Sequence, residues 1–197
     1  MWTHGIAIRP VPAHAVVDAH TVDIVRDAFA GDDEEAQKRL DDAFARFEAT
    51  QPALCMRLET ALERTNLDET ARTLGYFLGV CVWLAFDRQF GGRVLRVDET
   101  AVRAAAAALD LESELRASAT GGPESALEAE DVVAREQPAL MDLIHDHVDV
   151  ALENRAAEVD VDDVYAIYRV LLVEVMSLSH AVAPQPGSAV RVSEVLA

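Results

Sequence analysis

Gln51-Pro52-Ala53-Leu54 opens a stretch that runs to Phe86, and the same four residues return as Gln137-Pro138-Ala139-Leu140. The agreement continues in the apolar spacing. Leu54, Leu58, Ala61 and Leu62 match Leu140, Ile144, His147 and Val148, the i, i+4, i+7, i+8 stripe of an amphipathic helix. A second helix follows in each case. Leu67-Asp68-Glu69 aligns with Val161-Asp162-Asp163, and Leu74, Leu78 and Leu84 align with Tyr168, Leu172 and Leu178. The offset is 86 residues for the first helix and 94 for the second, so the second copy has the longer turn. The pattern predicts a duplicated helical hairpin, with 32–92 as first copy, 124–184 as second, and 93–123 as connecting helix and linker. The expected architecture is a single all-α domain over 1–197, a compact bundle of six to eight helices with approximate two-fold internal symmetry.

Leu74 to Phe86 is the innermost candidate. All 13 residues are apolar or glycine, so every face of the helix is suited to burial. Gly75 and Gly79 stand four residues apart and form a flat strip where another backbone can approach. They are the interface candidates of the sequence, although internal packing is the better explanation of the strip. At 1.5 Å per residue this run covers about 20 Å, short of the roughly 30 Å of a bilayer core. Met1-Trp2-Thr3-His4 lacks the basic start and apolar core of a secretory signal. The expectation is therefore a cytoplasmic protein without membrane association.

The flanking segments read as follows. Val17, Ile24, Val25 and Ala28 share one side of a helix begun near Ala13, with His20 on that side as a half-buried structural residue. Asp32 to Glu35 marks a helix start, and Ala36, Leu40, Ala43, Phe44 and Phe47 form its buried stripe. Pro52 starts a new helix that Thr50 is placed to cap, and Asn66 with Glu69 suggests a capping pair. Gly91-Gly92 ends the apolar helix, Asp98 caps the next, and Pro184 stops the last. The segment from Val190 to Leu196 carries apolar residues suited to docking on the body or a neighbour.

Half of the 197 residues are hydrophobic, which excludes a disordered chain. The net charge of −18 argues against nucleic acid and against an anionic membrane surface as partner. Cys55 and Cys81 lie in apolar helical segments and read as buried, reduced thiols.

Catalytic-type side chains concentrate in Asp142-Leu143-Ile144-His145-Asp146-His147-Val148-Asp149. Helical spacing puts Asp142, His145 and Asp149 on one exposed side, a weak metal candidate, and His147 on the inward stripe. Glu174 stands inside the apolar run Val170 to Met176, where an isolated charge is costly and a carboxyl must be paired, protonated or at an edge. In an antiparallel hairpin it approaches the level of His147. The polar-pocket candidates are accordingly His147, Glu174, Tyr168 and His180, with Tyr165 as a further neighbour. Glycine-rich phosphate loops, Cys-x-x-Cys and Gly-x-Ser-x-Gly are lacking from the sequence, and no cofactor is expected. Two function classes follow. The first is a non-enzymatic interaction or regulatory module that binds a protein partner or itself, as a homodimer, through an apolar helical groove or the Gly75/Gly79 face. The alternative is a metal-binding or hydrolytic helical protein with its polar site on the second hairpin, at His145, His147 and Glu174.

Overall fold

The computed structural model describes residue 9 and residues 11–31, 33–64, 67, 69–120, 133–155 and 161–186. Regular structure among them is helical throughout, which establishes the all-α bundle. The helices are α1 (Ala19–Ala28), α2 (Glu34–Thr50), α3 (Pro52–Arg64), α4 (Glu69–Phe90), α5 (Glu99–Thr120), α6 (Pro138–Arg155) and α7 (Val161–Ala181). Residues 133–136 add a helical turn before α6. Of the expected features, Asn66, Asp32 and the segment Val190 to Leu196 lie outside the described residues.

α4 and α7 lie against each other at the centre. Leu78 is 0% and Trp83 2% exposed, so the apolar run is innermost as its composition demands. α1, α2, α3 and α6 pack around α4, while α3 and α5 pack on α7. Around Trp83 the ring of Phe47 stacks at 5.5 Å and the Arg46 guanidinium sits 5.4 Å from the indole. Arg46 also pairs with Asp87 across α2 and α4.

Asp163–Ala181 of α7 is long and apolar enough to cross a membrane, with a mean hydropathy of 1.3. The expectation of no membrane span was drawn from the 13-residue run before Gly91, whereas this stretch of α7 has 19 residues. Packing accounts for the composition, since every residue from Leu171 to Ser179 is buried within the bundle.

The Gly75/Gly79 strip is filled from within the chain. A Cβ on Gly75 would stand 2.8 Å from Leu62 Cδ2, and one on Gly79 2.6 Å from Leu58 Cδ2. Both glycines therefore admit α3 close to α4, and α7 lies on the same strip through Ile167 and Glu174. As interface candidates they are corrected: the face they form is occupied by the protein's own helices.

The repeated Gln-Pro step has a structural meaning that its letters did not reveal. The proline ring bars the preceding residue from the α conformation, and Gln51 adopts φ −130°, ψ 55°. The helical hydrogen bonds nonetheless bridge the break, from Gln51 N–H to Phe47 O and from Cys55 N–H to Gln51 O. Gln137 does the same between Val133 O and Met141 N–H. Each glutamine then holds a distant extended segment by its carboxamide. Val97 N–H donates to Gln51 Oε1 (2.8 Å), and Gln51 Nε2 donates to Leu95 O (3.1 Å). Val17 N–H donates to Gln137 Oε1 (2.9 Å), and Gln137 Nε2 donates to Ala15 O (2.8 Å) and to Ser179 Oγ (2.9 Å). Directly after each clamped valine comes the residue that caps the next helix: Asp18 accepts from Thr21 N–H and Asp98 from Ala101 N–H.

Three local expectations are corrected here. α1 begins at Ala19 rather than near Ala13, because residues 16–18 are held extended by the clamp. His20 is exposed, not half-buried. Thr50 donates to Arg46 O within α2 and caps nothing.

Candidate functional site

A cleft bounded by described residues lies where α2 and α6 part above α4. Its volume is about 1090 Å³. Leu40 and Phe44 of α2 form one wall, and His147, Val150 and Ala151 of α6 form the other. Leu74, Tyr76, Phe77 and Val80 of α4 make the floor, with Glu69, Thr70 and Thr73 at the mouth. These residues come from three separate stripes. Each stripe turns part of its apolar arc to the core and leaves the rest uncovered, so Leu40, Phe44, Leu74, Tyr76 and Phe77 are all only half-buried. Val150 is 55% exposed, an apolar side chain standing in the open on the groove wall.

The walls are fixed by aromatic contacts. Phe44 meets Tyr76 edge-on at 6.4 Å, Phe29 of the α1 end meets Phe77 at 6.0 Å, and the His147 imidazole lies 5.3 Å from Phe77. His147 Nδ1 is 2.8 Å from Leu143 O. A carbonyl only accepts, so Nδ1 carries the proton and the ring is locked against its own helix. Tyr76 is held above its ordinary pKa by burial and then by the nearby Glu59 and Glu63, so its hydroxyl stays neutral.

The sequence-predicted polar residues are held by different neighbours. α6 makes its closest backbone approaches to α1 and α4. His147 consequently faces Phe77 of α4 and not Glu174 of α7. His145 packs its ring on Tyr168 at 5.5 Å. His180, six residues beyond Glu174, sits near Arg9, and burial followed by that guanidinium lowers its pKa. The expected pocket joining His147, Glu174, Tyr168 and His180 is therefore not assembled: its members are distributed along the bundle. Asp142 and Asp149 are exposed on α6. Among the described residues no group of three His, Cys, Asp or Glu side chains is arranged to hold a metal ion, and the Asp142, His145, Asp149 face is no exception.

Glu174 is 3% exposed, and its Oε1 has no hydrogen-bond partner among the described residues. Its Oε2 would lie 3.2 Å from a Cβ on Gly79, so the carboxyl rests against the glycine strip. Burial alone pushes its pKa well above the usual carboxylate range, which favours the protonated form. Cys55 is pushed up to about 12 by burial and then by Glu59, and burial followed by Glu174 raises Cys81 still further. Both thiols stay protonated and are poor nucleophiles.

No protein-family model matches the chain, and neither the curated proteins nor the solved structures contain a significant match. The reading of function therefore rests on the site itself.

Proposed function

We propose that this protein is a non-enzymatic, cytoplasmic helical interaction module that takes a helix of a protein partner into the groove between α2, α4 and α6. One observation carries the reading: three helices line a single cleft with mainly apolar side chains, among them the half-buried Leu40, Phe44, Leu74, Tyr76 and Phe77. Helices with an apolar face dock into such grooves through anchors at i, i+3, i+4 and i+7. Mouth and floor together, from Glu69 to Val80, extend about 17 Å along α4, enough for about three turns of a bound helix. The paired glutamine clamps support the companion reading of a duplicated hairpin, since each copy holds, through matching backbone atoms, an extended segment outside 32–92 and 124–184.

The test is titration of the protein against a fluorescent, uncharged helical peptide of about 14 residues with a leucine face. Saturable binding that is lost in Thr73→Trp, a change at an exposed groove position, is the expected result. An absence of saturable binding, or binding indifferent to Thr73→Trp, contradicts the proposal.

A further inference from the structure

We infer that the occupant of the groove is a basic amphipathic helix of a partner protein, its apolar face on the α4 floor and its lysines or arginines on the rim. The inference rests on the groove reading above and adds the charge of the partner.

The rim decides the sign. Of the groove-lining side chains, the two that are carboxylates are Asp41 on α2 and Glu69 at the start of α4. Tyr76, in the floor, lies within the field of Glu59 and Glu63, which outweigh Arg72 there. Against these four carboxylates, none of the groove-lining side chains is a lysine or arginine, and among the described residues Arg72 and Lys38 stand on the flanking turns. Arg39, one residue further along, is engaged by Glu35 and by Ala28 O. An apolar helix alone would leave this acidic collar uncompensated, and an acidic helix would be repelled by it. A basic helix gains apolar burial and complementary charge together. In a chain of net charge −18 the long-range field favours the same partner, so association is accelerated and depends on salt.

The experiment compares three labelled helical peptides with an identical leucine face and with lysine, glutamine or glutamate at the remaining positions. A fourth peptide scrambles the lysine version so that the leucines no longer share a face. Anisotropy titrations use the whole chain, Thr73→Trp, and the exposed-site double variant Asp41→Asn, Glu69→Gln. The expected result is that the lysine peptide binds about tenfold more tightly than the glutamine peptide at low salt, with the glutamate peptide weakest. That preference should shrink severalfold in the double variant and as salt rises toward 0.5 M, because exposed charges are screened. Thr73→Trp should remove binding of the lysine and glutamine peptides alike. Equal affinity for the lysine, glutamine and glutamate peptides, still blocked by Thr73→Trp, overturns the basic partner while leaving the groove intact. Equal binding of the scrambled peptide, or binding indifferent to Thr73→Trp, shows non-specific attraction to an acidic surface and also overturns it. No binding by any peptide removes the groove reading and this inference together.

Discussion

Gln51 and Gln137 occupy matching places in the chain, precede matching prolines and hold matching backbone atoms, yet the two clamps are not equally closed. The segment from Ala15 to Asp18 is held on both edges. Gln137 takes Ala15 and Val17 from one side, and Gln89 takes Val16 O (2.8 Å) and Asp18 N–H (2.8 Å) from the other. The segment from Leu95 to Asp98 is held by Gln51 on one edge only. A short antiparallel contact extends that edge, with Leu95 N–H donating to Ala181 O and Ala183 N–H to Arg93 O. Among the described residues no carboxamide does for Arg96 and Asp98 what Gln89 does for Val16 and Asp18. Leu95 is correspondingly 57% exposed, whereas Ala15 is 0%. The clamped valines are nonetheless equally buried, Val17 at 2% and Val97 at 3% exposed, so a single side-chain amide already stands in for a strand neighbour.

The comparison is broken first at Gln137. Its carboxamide is fully buried and serves Val17, Ala15 and Ser179. Gln137→Ala should cost about 4 kcal/mol, since each buried polar group left without a partner costs about 1–3 kcal/mol. Gln51→Ala, which frees two backbone groups, should cost about 2 kcal/mol. Urea unfolding of the two variants measures the difference, and equal losses would remove the distinction between the clamps. Gln89→Ala should cost least, about 1 kcal/mol, because its bonds lie at the surface.

The glycine strip sharpens a second contrast. At Gly75 an added methyl group meets Leu62 and Ile167, which can shift, and the gain in helix propensity of about 1 kcal/mol offsets the crowding. At Gly79 it is caught between Leu58 and the Glu174 carboxyl. Gly75→Ala should be close to neutral in thermal unfolding, while Gly79→Ala should destabilise by about 1–2 kcal/mol.

Glu174 gives the structure a pH dependence of known sign. Its pKa is raised in the folded state, so the folded chain retains a proton that the unfolded chain releases near its ordinary value of 4.5. Stability is then greatest below that value, and falls as pH rises toward the folded pKa. Glu174→Gln keeps the shape without the titration. It should flatten this slope in unfolding experiments run across acidic to alkaline pH, and a slope unchanged by the substitution would assign it to other groups.

Sequence patterns conveyed the bundle but not the groove, for a physical reason. The period of Leu40, Phe44 and Phe47 says which face of α2 is apolar, and the all-round apolarity of α4 says that it is central. Neither says how far α2 and α6 stand apart above Phe77. That separation comes from α6 leaning on α1 and α4, whereas the hairpin logic placed α6 level with α7 and drew His147 toward Glu174. Glu174 itself was legible, because a carboxylate inside Val170 to Met176 must be neutralised or paired, and here burial raises its pKa. The Gln-Pro repeat was visible as letters, but its role as a clamp required the extended segments at Ala15–Val17 and Leu95–Val97. A β-branched residue directly before a capping aspartate, Val17-Asp18 and Val97-Asp98, was the available signal.

The closed clamps and the open groove together make the central claim, that one place on this bundle is built to be covered by a partner. Hydrogen exchange with and without the lysine-bearing helical peptide tests it most directly. The expected result is added protection over Leu40–Phe44, Glu69–Val80 and His147–Ala151, with Ala15–Asp18 and Leu95–Asp98 unchanged. Protection spread evenly over the chain, or none within those three stretches, would contradict the account.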